Sequence, residues 1–280
     1  MGTLFKKDNT VRLIILLSLL IYQVVALPKY IELNISDIID DPYRKAQDVG
    51  WCGEASIQSA ITTYGIYIPQ KTINSIYNKS HKDLYTADIP ETLNRLGFGF
   101  EFYPNRDSNY SDFILWIKRY LSKKIPVMFG LLIYPNPPKG WDISHFMLAT
   151  GYTENSLIFN SNSEEGRDIE SFENLYDRDG YSFLNSSKAF FGVAIGKTEY
   201  SNYAGEVQLK ILKDTPKKVT VKIITDGLKE GDRLYRYELE YNKTLGRLAP
   251  IKDTKKLILS YPKTSTIDEI SRDRGYIYKF

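Results

Sequence analysis

The chain holds a single cysteine, Cys52, in Gln47-Asp-Val-Gly-Trp-Cys-Gly-Glu-Ala55, and two histidines, His81 and His145. A thiol attacks carbon effectively only as thiolate, and a helix N-terminus or a nearby imidazolium favours that form. Gly50 before Trp51-Cys52 reads as a loop turning into a helix. Cys52 is then in the first turn, where free backbone N–H groups and the helix dipole favour negative charge. Glu54 works the other way, because a carboxylate beside a thiol raises its pKa.

A thiol nucleophile needs a base. His81, in Asn78-Lys-Ser-His-Lys-Asp83, lies in a polar, turn-like run and reads as a solvated surface residue. His145 opens the apolar run His-Phe-Met-Leu-Ala-Thr-Gly-Tyr152, and an imidazole buried there must be hydrogen-bonded. In an antiparallel hairpin the start of the first strand lies beside the end of the second. Asn160, closing Leu157-Ile-Phe-Asn160, is therefore expected near His145, where its amide can orient the ring. Gln47, five residues before Cys52, can join the Cys52 backbone N–H as a donor to a developing oxyanion. Each residue alone has a plainer reading: a free cysteine packs and an asparagine turns the chain. The ordered set points to nucleophilic catalysis at a carbonyl.

Gln47, Trp51-Cys52-Gly53, His145 to Tyr152 and Leu157 to Ser161 together resemble the papain-like cysteine peptidase superfamily, and within it the bacteriocin-processing (double-glycine) peptidase-like group. The resemblance covers residues 30–195. It implies an α+β papain-like domain, with the cysteine on a central helix against an antiparallel sheet bearing the histidine. It also implies Cys52 as nucleophile, His145 as general base and acid, Asn160 as orienter and Gln47 as oxyanion donor. Two positions depart from the group's pattern: Glu54 replaces a proline or alanine, and Asn160-Ser161 replaces aspartate-proline.

The elements that must position these residues are legible from periodicity. Ala55, Ile57, Ala60, Ile61 and Tyr64 give one apolar face of a helix that Gly65 stops. Further helices are expected over 72–77, 89–96, from Ser111 to Leu121 and over 171–176, and strands over 30–35, 98–103, 126–133, 145–152, 157–160 and 190–195. Asp40 to Tyr43 reads as a turn, and the proline-rich stretch Pro135 to Gly140 as a loop and candidate cleft wall. After residue 200 five strands alternate apolar and polar residues between turns (207–213, 218–225, 233–241, 256–261 and 276–280), the pattern of a small all-β sandwich-like domain.

Residues 1–26 read as a cleaved secretory signal peptide: Lys6, Lys7 and Arg12, an apolar run from Leu13, then Val24-Val-Ala26. An uncleaved anchor is the alternative, although the run of 15 residues is short against roughly 17 to 25 for a span. The expected division is 27–199 for the papain-like domain and 200–280 for the β-rich accessory domain. The first carries a net charge of −5 and the second +6. No basic helix or aromatic-basic motif suggests nucleic acid, and one cysteine with two histidines is too little for a zinc site, so no cofactor is expected. Five Asn-x-Ser/Thr sequons (Asn34, Asn78, Asn109, Asn185, Asn242) carry no weight in so asparagine-rich a chain. The expectation is a secreted cysteine peptidase acting on a peptide or protein substrate. The alternatives are an inactive papain-like binding protein, or an acyltransferase using the same site, since water and amine attack the same acyl-enzyme.

Overall fold

The computed structural model of the chain describes residues 27–35, 50–79, 82–104, 109–132, 144–162, 166–176, 190–201, 206–226, 228–260 and 263–280. The expected signal segment, the turn at 40–43, Gln47, His81, the 135–140 loop and the Asn185 sequon lie outside them. No described helix is long and apolar enough to cross a membrane.

The first described element is β1 (Ile31–Glu32). Helix α1 (Cys52–Ile61) runs into a 3₁₀ turn, Thr62–Tyr64, and is followed by β2 (Ile66–Tyr67), α2 (Gln70–Ser75) and α3 (Ile89–Leu96). Then come β3 (Phe100–Phe102), α4 (Tyr110–Ser122), β4 (Val127–Leu131), β5 (His145–Tyr152), β6 (Ser156–Ser161), β7 (Gly166–Ser171), α5 (Phe172–Tyr176) and β8 (Phe191–Ile195). The helix starts and stops follow local chemistry. Gly65 and Gly97 adopt left-handed φ of 71° and 85° to end their helices. Asn109 caps α4, its side chain accepting from the Asp112 N–H at 2.9 Å.

The strands of this part form one antiparallel sheet in the order β3-β8-β4-β5-β6-β7, with β1 pairing to the far end of β5. Two helices cover its two faces. Gly192 has no room for a Cβ, which would come within 2.9 Å of the Phe113 and Trp116 rings of α4. Gly192 stands opposite Phe129, which stands opposite Met147, so α4 lies on the face shared by Met147 and His145. On the other face Gly53 abuts the Phe146 ring, with 3.4 Å left to a Cβ, so α1 packs there. This is the α+β papain-like arrangement, a central cysteine-bearing helix against an antiparallel sheet.

Helix α1 differs from its expected amphipathic form. All ten of its residues are buried, including Glu54, Ser56, Gln58 and Ser59. Gln58 is met by tertiary partners, its amide donating to the Ile68 carbonyl at 2.8 Å and Gln70 donating to it at 3.0 Å, whereas the Ser56 hydroxyl has no hydrogen-bond partner among the described residues. Periodicity identifies the apolar face, but it cannot reveal that neighbouring segments roof the polar one.

Beyond residue 206 the structure is β-rich: β9 (Val207–Asp214), β10 (Lys218–Thr225), β11 (Arg233–Asn242), β12 (Arg247–Pro250), β13 (Lys256–Ser260), β14 (Ser265–Ser271) and β15 (Gly275–Lys279). Strands β12 and β14 add to the five expected. β12 is too short to show alternation, and β14 buries only Ile270 among polar residues. One sheet is β14-β10-β9 and the other β12-β11-β15-β2, with β13 on β11. Val207, Leu209, Val221, Ile223, Leu234, Tyr276 and Tyr278 form the core of this part. Strand β2 comes from the first part of the chain: Ile66 and Tyr67 pair with Ile277 and Tyr276, and the Tyr278 N–H donates to the Gly65 carbonyl at 2.8 Å. The 3₁₀ turn after α1 is thus tied directly to the β-rich part.

Candidate active site

Cys52 begins α1, and its sulfur accepts a hydrogen bond from the backbone N–H of Phe146 at 3.4 Å. The thiol therefore rests on the strand one residue from His145, at the end of the sheet where β5 begins. Burial pushes the Cys52 thiol up to about 12, and the Glu54 charge adds to the rise. The Phe146 amide and the backbone N–H groups of Gly53 and Cys52 pull it down, as expected at a helix start, but burial dominates. In this conformation Cys52 is a neutral thiol, only 9% exposed.

His145 is buried, opposite Leu131 in the β4–β5 ladder. Its Nε2 lies 3.0 Å from Ser161 Oγ. Asn160, expected beside the ring, stands opposite Leu148. Side chains three apart on a strand point to opposite faces, so Asn160 is on the α1 side of the sheet and His145 on the α4 side. The cause is a β-bulge: the β5–β6 register passes from Gly151↔Ile158 to Ala149↔Phe159, leaving Thr150 as the extra residue. Without the bulge Asn160 would oppose Ala149 and share the face of His145; the one-residue shift gives that face to Ser161. The signal available in the sequence was Gly151, an isolated glycine inside a strand pattern. A Cβ there would come within 2.3 Å of the Ile31 carbonyl oxygen, so glycine is what lets β1 reach the bulged strand.

Glu54 is wholly buried two residues from Cys52. Its Oε1 accepts from the Asn74 amide at 2.5 Å, and that amide also donates to the Lys82 carbonyl at 2.6 Å. Oε2 has no hydrogen-bond partner among the described residues. Burial pushes the Glu54 carboxyl up to about 7, the Asp83 charge adding to this while Asn74 and Lys79 oppose it. Glu54 thus links the start of α1 to α2 and the segment after it.

A family model described as the Peptidase_C39-like family matches residues 38–183, more than half of the chain and a span that includes Gln47, Cys52, His145, Asn160 and Ser161. The chain belongs to the Peptidase_C39-like family. No curated protein matches it. Membership in a cysteine-peptidase-like family agrees with the helix-on-sheet arrangement, in which Cys52 and the first residues of β5 meet. Within this Peptidase_C39-like fold, His145 and Ser161 form one hydrogen-bonded pair, Cys52 touches the residue after His145, and Asn160 faces away. No group of three or more His, Cys, Asp or Glu side chains able to hold a metal ion occurs among the described residues.

Proposed function

We propose that this chain is an exported cysteine hydrolase that cleaves peptide or amide bonds of a peptide or protein substrate. The observation that carries the reading is the Cys52 sulfur at the start of α1, resting on the amide of Phe146 next to His145. In this mechanism the thiol proton passes, at the end of the sheet where β5 begins, from Cys52 on the α1 side to His145 on the α4 side as the sulfur bonds to the substrate carbonyl carbon. The imidazolium then protonates the departing amine as the C–N bond breaks. Water, deprotonated by the same imidazole, releases the acid from the thioester. In the tautomer whose Nε2–H donates to Ser161 Oγ, Nδ1 is the nitrogen assigned to receive the thiol proton. Ser161 therefore takes the orienting role expected of Asn160. Gln47 is assigned to the oxyanion by its spacing from Cys52, and residues 1–26 to export by their composition.

A hydroxyl orients an imidazole but, unlike a carboxylate, does not stabilise its cation. Ser161→Ala should therefore lower kcat by about tenfold with KM little changed, the equivalent of one hydrogen bond of about 1.4 kcal/mol. Ser161→Asn, which still offers the ring an acceptor, should recover most of that loss. An unchanged kcat in Ser161→Ala would remove Ser161 from the mechanism.

The burial of the neutral thiol favours a second reading, a papain-like shell that binds its partner without turnover. The rate of iodoacetamide labelling near pH 6 separates the two. A working site labels Cys52 faster than free cysteine at that pH, because His145 takes the proton as sulfur attacks; a rate at or below that of free cysteine favours the binding protein.

A further inference from the structure

On the face of the sheet opposite His145, a cavity of about 300 Å³ opens where the β-rich part meets the papain-like part. Asn160 and Arg167, cross-strand partners on β6 and β7, line it together with Glu32, Asn34, Thr150 and Lys210 of β9. Its charges do not cancel. Arg167 and Glu32 form a two-point ion pair at 2.5 and 3.2 Å, and Tyr30 donates to the same carboxylate at 2.6 Å. Arg167 holds Glu32 below the usual carboxylate range and the Lys210 charge adds to this, so two cations face one carboxylate and the lining keeps a positive excess. Lys210 is the looser of the two cations. It is half-buried and makes no ion pair among the described residues. It also stands directly opposite Lys222 in the β9–β10 ladder. Like charges in that position repel, and an anion in the cavity relieves the repulsion.

We propose that this cavity binds a carboxylate, held by the Lys210 ammonium with Lys222 behind it. The excess of positive charge specifies an anion, and the polar lining and modest volume suit a carboxylate on a small polar body. A free small acid fits the cavity, and so does the carboxylate end of a peptide. The binding site itself stands whether or not Cys52 is catalytic.

The test titrates N-acetylalanine and its neutral amide onto the Cys52→Ala chain, which turns over neither, with calorimetry as readout. The acid should saturate the protein in the millimolar range and the amide should bind at least about tenfold more weakly. Lys210→Gln should weaken the acid by a similar factor, Lys222→Gln by less, and added salt should weaken it in the parent chain. Acetyl-tetra-alanine as free acid extends the titration. Binding tighter than N-acetylalanine identifies a peptide end as the source of the carboxylate, and equal binding identifies a free small acid. Equal affinity for acid and amide overturns the proposal. So does undiminished binding of the acid to a Lys210→Gln chain that melts like its parent.

Discussion

Cys52→Ala should abolish hydrolysis and thiol-alkylator labelling while leaving the protein folded. Deleting the nucleophile of a covalent hydrolase costs about 10⁶ in kcat. No second cysteine in the chain can substitute. The structural cost is small by comparison. The sulfur is one atom at the start of a helix, and its contact with the Phe146 amide is long at 3.4 Å. Losing it leaves a void of less than a methyl group's consequence, about 1 kcal/mol, and alanine's helix propensity returns part of that. Kinetics against a peptide substrate, with a thermal melt of the same sample, check both halves. Retained hydrolysis in a variant with an unchanged melt would exclude Cys52 as the nucleophile.

Glu54→Gln should produce the largest pH-dependent change in stability. Burial raises the Glu54 carboxyl from 4.5 to about 7 in the folded protein. Its pKa is higher folded than unfolded, so its contribution to stability is fully present below about 4.5 and is lost as pH rises through about 7. A shift of that size corresponds to about 3 kcal/mol of alkaline destabilisation. Glutamine keeps an oxygen for the Asn74 amide but cannot ionise. The parent chain should therefore lose stability between pH 5 and 8 through this group, while the variant loses markedly less. Denaturant unfolding of both chains across that range reads the difference directly; parallel curves would mean that the carboxylate is ionised and paired throughout. Removing the carboxylate also removes a charge that raises the Cys52 thiol. Cys52 alkylation in Glu54→Gln should accordingly outpace the parent above pH 7.

Helix α3 and strand β10 match their expected spans because one apolar face and clear turn residues bound them. Cys52 at a helix start and His145 at a strand start were both legible, since each depends on local pattern. The burial of Glu54 and Gln58 was not, because the Asn74, Ile68 and Gln70 groups that meet them come from other segments. The same holds for β2, a two-residue strand that exists only because β15 offers its edge.

By itself the sequence determined an α+β chain with Cys52 leading a helix and His145 leading a strand, followed by a β-rich part. Local propensity and periodicity suffice for that much. Only the tertiary structure decided which neighbour His145 meets. The extra residue at Thr150 rotates the end of β6 by one position, turning Ser161 toward the imidazole and Asn160 toward the cavity on the other face. Strand register depends on pairing between segments, and a single bulge exchanges the two faces of everything beyond it.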